Sequence, residues 1–121
     1  MEEWTRMEAP LLEIDDLLAQ FAKDRDLKIV TNYHNWPSRS LDWARDGIYR
    51  SIQILAADKP ETYHMGVVAW EDKNNQRYGA DKWLRKWVYW GEIRDNLHQL
   101  LEEAVATLES WSEKDLKPSK T

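Results

Sequence analysis

The sequence predicts an α+β fold. The expected form is a two-layer sandwich in which a four-stranded, mainly antiparallel sheet carries an N-terminal and a C-terminal helix on one face, in the order α-β-β-β-β-α. Three features predict it. Apolar residues recur at helical spacing near both ends. One stripe is Leu11, Ile14, Leu17, Leu18 and Phe21, and the other is Ile93, Leu97, Leu100, Leu101, Ala104, Val105, Leu108 and Trp111. The residues between them alternate with a period of two. Short turn-forming segments at 57–61 and 73–76 separate consecutive alternating runs, which favours hairpins over crossovers.

Residues 1–9 read as a loose lead-in, with Trp4 and Met7 available to pack. The first helix is expected over 10–25. Pro10 suits a first helical position, where an amide N–H has no partner in any case, and the early acids Glu13, Asp15 and Asp16 complement the positive end of the helix dipole. Strand one is expected over 27–34, with Leu27, Ile29, Thr31 and Tyr33 on one side and Lys28, Val30, Asn32 and His34 on the other. The pattern breaks at Trp36-Pro37, and a residue before proline should be extended. Residues 35–46 read as a surface connection pinned by Trp36 and Trp43, with one helical turn over 41–44 capped by Ser40 and ended by Gly47. Strands two and three follow over 48–56 and 62–71. The reversal at 73–76 leads to strand four, through a bulge or loop at 78–81. The last helix is expected over 92–111. The polar residues 112–121, which include Pro118, should fray. The chain is thus expected to be a single domain over 1–111 with a tail over 112–121.

Strand four carries the sequence's densest aromatic cluster. Residues 82–91 hold three of the eight tryptophans. Trp83, Trp87 and Trp90 also fit helical spacing, but Trp, Val and Tyr favour a pleated surface, and Gly91 interrupts the pattern before a more regular helix. As a strand, Trp83, Arg85, Trp87 and Tyr89 face one way and Leu84, Lys86, Val88 and Trp90 the other. Both sides then carry large rings, as in a core, or in a sheet with one face left for a partner.

Composition narrows the function classes. At 121 residues the length fits one domain, and a 12% aromatic content argues against disorder. The absence of cysteine excludes disulfides, thiol catalysis and cysteine zinc sites. It also fits a reducing, cytoplasmic location. The acidic first residues lack a secretory pattern, and no apolar run is long enough to span a membrane. Net charge is −5, which makes nucleic acid an unlikely general partner, because that affinity comes from neutralising phosphates. The charge is uneven, however. Residues 1–26 hold eight acids and three bases, whereas 77–94 hold five bases and two acids. A local strip of this kind can meet single strands by stacking.

The strand faces sort into two sets. Leu27, Ile29, Tyr33, Ile48, Ile52, Ile54, Tyr63, Met65, Val67 and Ala69, with Leu84, Val88 and Trp90, are apolar enough to lie beneath the helices. The opposite set supplies the candidate ligand- or partner-binding residues: Asn32, His34, Tyr49, Gln53, His64, Trp70, Arg85, Trp87 and Tyr89. Rings with a few polar groups suit a pocket or an interaction surface. The expectation is a non-enzymatic binding module. Its aromatic face would serve self-association in a homodimer, a protein partner, or a small planar ligand, and Arg85 would favour an anionic one. The alternative is an enzyme using His34 or His64 as general acid or base in an aromatic pocket. No phosphate loop, dinucleotide fingerprint, nucleophile elbow or metal-ligand spacing is present, so no cofactor or metal is expected.

Overall fold

The computed structural model describes residues 2–118. It is α+β, with one antiparallel sheet and helices at both ends, but the sheet has six strands where four are expected. The strands follow one another as a meander in sequence order: β1 (Lys28–Thr31), β2 (Ser38–Arg45), β3 (Ile48–Ala56), β4 (Thr62–Lys73), β5 (Gln76–Tyr89) and β6 (Lys117–Pro118).

The N-terminal residues are helical. Helix α1 (Glu2–Leu12) takes in both the expected lead-in and Pro10, and α2 (Asp15–Arg25) follows a break at 13–14. Proline removes one helical hydrogen bond and crowds the preceding turn. The chain leaves α-geometry soon after it, with Glu13 N donating to Pro10 O and Ile14 N to Leu11 O. Leu11, Ile14, Leu18, Phe21 and Ala22 are buried, but Leu17 is not. Asp26, in the left-handed region, ends α2 by letting Leu27 N reach Ala22 O at 2.8 Å.

Two expected boundaries are overturned between residues 27 and 47. Strand β1 stops at Thr31, because Asn32, His34 and Asn35 have positive φ and turn the chain through a short 3₁₀ segment (Tyr33–Asn35). Asn32 stabilises that turn: its side-chain oxygen accepts from Ser38 N and from Arg39 Nη1. Tyr33, expected inside, is 62% exposed. Trp36 is extended, as the following proline requires. The expected connection over 35–46 is instead mostly strand β2. It pairs with β3 from Ser38↔Leu55 to Arg45↔Ile48, closed by Asp46-Gly47 with φ of 56° and 79°. A two-residue turn with both φ positive matches the twist of the flanking strands, and Asp-Gly suits it. Asn74-Asn75 closes the β4–β5 hairpin in the same way.

One sheet face carries the core. Leu41, Ile52, Ile54, Met65, Val67 and Ala69 pack against Leu11, Leu18, Ile93, Leu100, Leu101 and Leu108 of the helices. The expected last helix is divided into α3 (Trp90–Arg94) and α4 (Leu97–Ser110). Two arginines are buried on this face. Arg39 meets Asp15 at 2.7 Å and Glu8 at 3.5 Å. Arg50 donates to Leu108 O and Arg45 O, both at 3.2 Å, so its charge lies at the negative end of α4.

The segment expected to fray folds back over 112–118. Asp115 accepts from Ser112 N, Leu116 is buried in the core, and Lys117-Pro118 pairs with Gly79 and Tyr78 of β5. Residues 119–121 lie outside the described residues. No described helix is long and apolar enough to cross a membrane.

Candidate functional site

No described helix lies over the second face of the sheet, and the strand register arranges its side chains in four rows. Reading from β2 to β5, the rows are Ser38–Leu55–His64, Ser40–Gln53–Gly66–Trp83, Asp42–Ser51–Val68–Asp81 and Ala44–Tyr49–Trp70–Gly79. The β2 and β3 side forms a mainly polar lane. The β4 and β5 side forms an aromatic wall. A hollow of about 600 Å³ runs along the lane, with Tyr33 and Trp36 among its lining at one end and Trp70 and Arg77 at the other. Ser51 Oγ donates to Asp42 at 2.6 Å within it. That serine therefore has no histidine partner for a nucleophilic triad.

A glycine and two bulges build the wall. At Gly66 a Cβ would stand 2.9 Å from Cε3 of Trp83, so the indole lies where a side chain would otherwise be. Next to it, β5 contains one extra residue between the Gly66↔Trp83 and Met65↔Arg85 pairs, and another before Tyr63↔Val88. The second irregularity puts Trp87 at φ 51°, where its backbone N–H donates to His64 Nδ1 at 2.9 Å. The indole of Trp87 donates to Asp58 at 2.9 Å. His64 is 8% exposed, with Trp83 and Trp87 ring centroids 5.0 and 5.1 Å away. Both indoles remain near half exposed, at 48% and 44%. At the far end Tyr49 stacks on Trp70 at 5.6 Å.

Charge follows the rings. The Lys86 ammonium lies 4.6 Å from the Trp87 centroid and 5.6 Å from that of Trp83. Lys59 lies 5.3 Å from Trp87, and the Arg77 guanidinium lies 5.1 Å from Trp70. Burial holds the His64 pKa below its usual 6.5, and Lys86 adds to the effect against a smaller opposing pull from Asp58. The hydrogen bond from Trp87 holds Asp58 below the usual carboxylate range.

Of the nine candidate residues, Tyr49, Gln53, His64, Trp70 and Trp87 share this face. Asn32 and His34 sit in the turn after β1 instead of on a strand. Asn32 is committed to Glu8, Ser38 and Arg39, and His34 packs edge-on against Tyr33. Arg85 leaves the row of Trp83 and Trp87, because the extra residue at 84 brings it opposite Met65 of the helix-covered face. Tyr89 lines a different hollow of about 700 Å³, between α1 and residues 57–61, whose floor includes Met7, Pro10, Tyr63 and Trp90. That hollow is larger, but the polar lane and the tryptophan wall lie outside it. Sequence reasoning assigned Ser38, Ser40 and Asp42 to a surface connection and so did not place them on this face; β2 supplies them, and the Asp46-Gly47 turn was the signal that would have found that strand.

The chain matches no known family model, and no curated protein or solved structure is significantly similar to it.

Proposed function

We propose that this is a binding protein whose open sheet face receives a planar ligand. One observation carries the reading: half-exposed tryptophans and a mainly polar lane share a sheet face that no described helix covers. Rings supply apolar contact area, while Ser40, Gln53 and Asp42 supply hydrogen bonds that fix orientation. The concavity along the lane favours a ligand over a flat protein partner. His64 fits the role of a donor better than that of a base. Its Nδ1 lone pair is engaged by Trp87 N–H, which leaves the proton of the neutral ring on Nε2.

The test pairs light scattering with a tryptophan-fluorescence titration of small aromatic compounds. A monomer whose emission saturates with ligand is expected. Trp87→Ala should weaken that binding, whereas Trp111→Ala, which removes a ring packed on the core, should lower thermal stability and leave binding in place. If both variants lose only stability, the open-face reading is wrong. A stable dimer that buries these tryptophans would assign the face to self-association.

A further inference from the structure

Trp87 holds a backbone conformation that its side chain does not favour. Its φ is 51°, in the left-handed region, where a bulky residue is a rare outlier. Such a conformation persists only where neighbouring contacts over-determine it. Two hydrogen bonds do so here. The backbone N–H donates to His64 Nδ1 at 2.9 Å, and the indole N–H donates to Asp58 at 2.9 Å. The first bond carries a condition. An imidazole nitrogen accepts only through a free lone pair, so His64 must be neutral to make it. The surroundings of His64 offer a charged ring little. It is 8% exposed and packs against the indoles of Trp83 and Trp87. Its row neighbours on β3 and β2, Leu55 and Ser38, carry no charge. The charged groups around it come from two elements. Lys86 on β5 repels an imidazolium. Asp58, in the segment joining β3 to β4, attracts one, and Lys59 beside it lies over the Trp87 ring.

We infer that His64 and Trp87 form an acid-sensitive switch on the tryptophan wall, an inference that rests on the ligand-face reading above. Protonation puts an N–H on Nδ1, opposite the N–H of Trp87. Two donors then face each other, and the backbone contact that holds residue 87 at positive φ is gone. The chain relaxes toward the extended conformation of an ordinary strand. The indole turns with it, away from Trp83 and Asp58. The wall then loses one of its two half-exposed tryptophans, and a ligand seated on both rings is released. Linkage runs both ways, so a ligand that requires the neutral ring opposes its protonation. Burial acts in the same direction, helped by Lys86, which sets the switch below the usual imidazole value of 6.5. The face thus binds at neutral pH and releases in acid.

The experiment is a pH titration of the isotope-labelled protein by NMR, run beside tryptophan-fluorescence titrations with coumarin, a planar probe that stays uncharged throughout. At neutral pH the His64 ring should be the Nε2–H tautomer and the Trp87 amide should be protected from exchange. Below pH 6.5, protonation of His64, loss of that protection and loss of coumarin affinity should share one midpoint. Affinity should be constant above the midpoint and fall by up to about tenfold per pH unit below it. Amides of α4 should stay protected, which separates the switch from acid unfolding. His64→Asn keeps an acceptor oxygen on the same side-chain carbon and cannot titrate, so its coumarin affinity, whatever its absolute value, should not change with pH. The neighbouring charges should move the midpoint, upward in Lys86→Gln and downward in Asp58→Asn, whose amide oxygen still accepts from the Trp87 indole. A Trp87 amide that stays protected once His64 is protonated overturns the inference. So do unshifted midpoints in both charge variants, or parallel affinity profiles for the wild type and His64→Asn. If coumarin binds equally across this range, only the switch falls. If the amide switches but no small aromatic compound binds at neutral pH, the ligand-face reading falls and the conformational switch stands without it.

Discussion

Gly66→Ala tests how the aromatic wall is built. The new methyl would stand 2.9 Å from Trp83 Cε3 and 3.1 Å from the backbone oxygen of Lys82. Carbon atoms prefer about 3.5–4.0 Å, so the indole must move by roughly 0.6 Å or more. It cannot fold away like the end of a lysine, because the ring is rigid and His64 packs beside it. Overpacking of this kind costs about 1–3 kcal/mol, and the reduced freedom of the unfolded chain returns about 0.4–1 kcal/mol. The net expectation is a loss of about 1–2 kcal/mol, or roughly 3–10 °C in Tm for a chain of this size. A thermal melt followed by far-UV circular dichroism reads it. The double variant Gly66→Ala/Trp83→Ala supplies the control. With the indole gone the closest contact is lost and only the 3.1 Å approach to Lys82 O remains, so the alanine at 66 should cost less in that background than in the wild type, and the coupling should be about 1 kcal/mol or more. Additive effects, or a Gly66→Ala protein as stable as the wild type, would refute the claim that the absent side chain seats Trp83.

Two further outcomes follow from the buried polar groups. Arg50→Met keeps an apolar stem but removes the donor to Leu108 O and Arg45 O. Hydrogen bonds from a charged group contribute about 1.5–3 kcal/mol each, and relief of the buried charge offsets part of that, so a net loss of about 2–3 kcal/mol is expected. In urea the midpoint should fall by about 1–2 M with the m-value unchanged, and an unmoved midpoint would show that α4 does not depend on this cap. His64 gives a pH signature. Its folded pKa lies below the unfolded 6.5, so the folded state holds the proton less readily than the unfolded chain. The stability it contributes is complete above pH 6.5 and is lost as pH falls through the lower folded value. Protonation of Nδ1 also displaces the Trp87 N–H that fixes the bulge. Melting temperature should therefore fall on acidification through this window in the wild type and stay flatter in His64→Gln; parallel profiles would exclude the effect.

The sequence by itself determined the class of fold and the buried side of most of it. Periodicity suffices where a segment is half buried. Ile52, Ile54, Met65, Val67 and Ala69 are beneath the helices as their alternation requires, and the stripe from Leu97 to Leu108 packs on them. The same periodicity failed at β2, because a buried arginine at 39 and a half-buried tryptophan at 43 obscure its inward side. Arg39 is tolerable inside only once Asp15 and Glu8 arrive from helices more than twenty residues away, and no local pattern announces that. Leu116 carries the same lesson at the other end. One apolar residue in a polar segment has no period, and its burial depends on a groove that the folded sheet creates.

Tertiary structure alone decided the candidate site. The rings of Trp83 and Trp87 are visible in the sequence, but their common direction is not. Strict alternation would also place Arg85 and Tyr89 beside them. The two irregularities in β5 instead turn Arg85 away and bring Trp87 N–H onto His64. A bulge changes which face every later side chain takes, and its position is set by pairing with β4 and by the space above Gly66. Those are properties of two strands together, which one strand's sequence cannot carry.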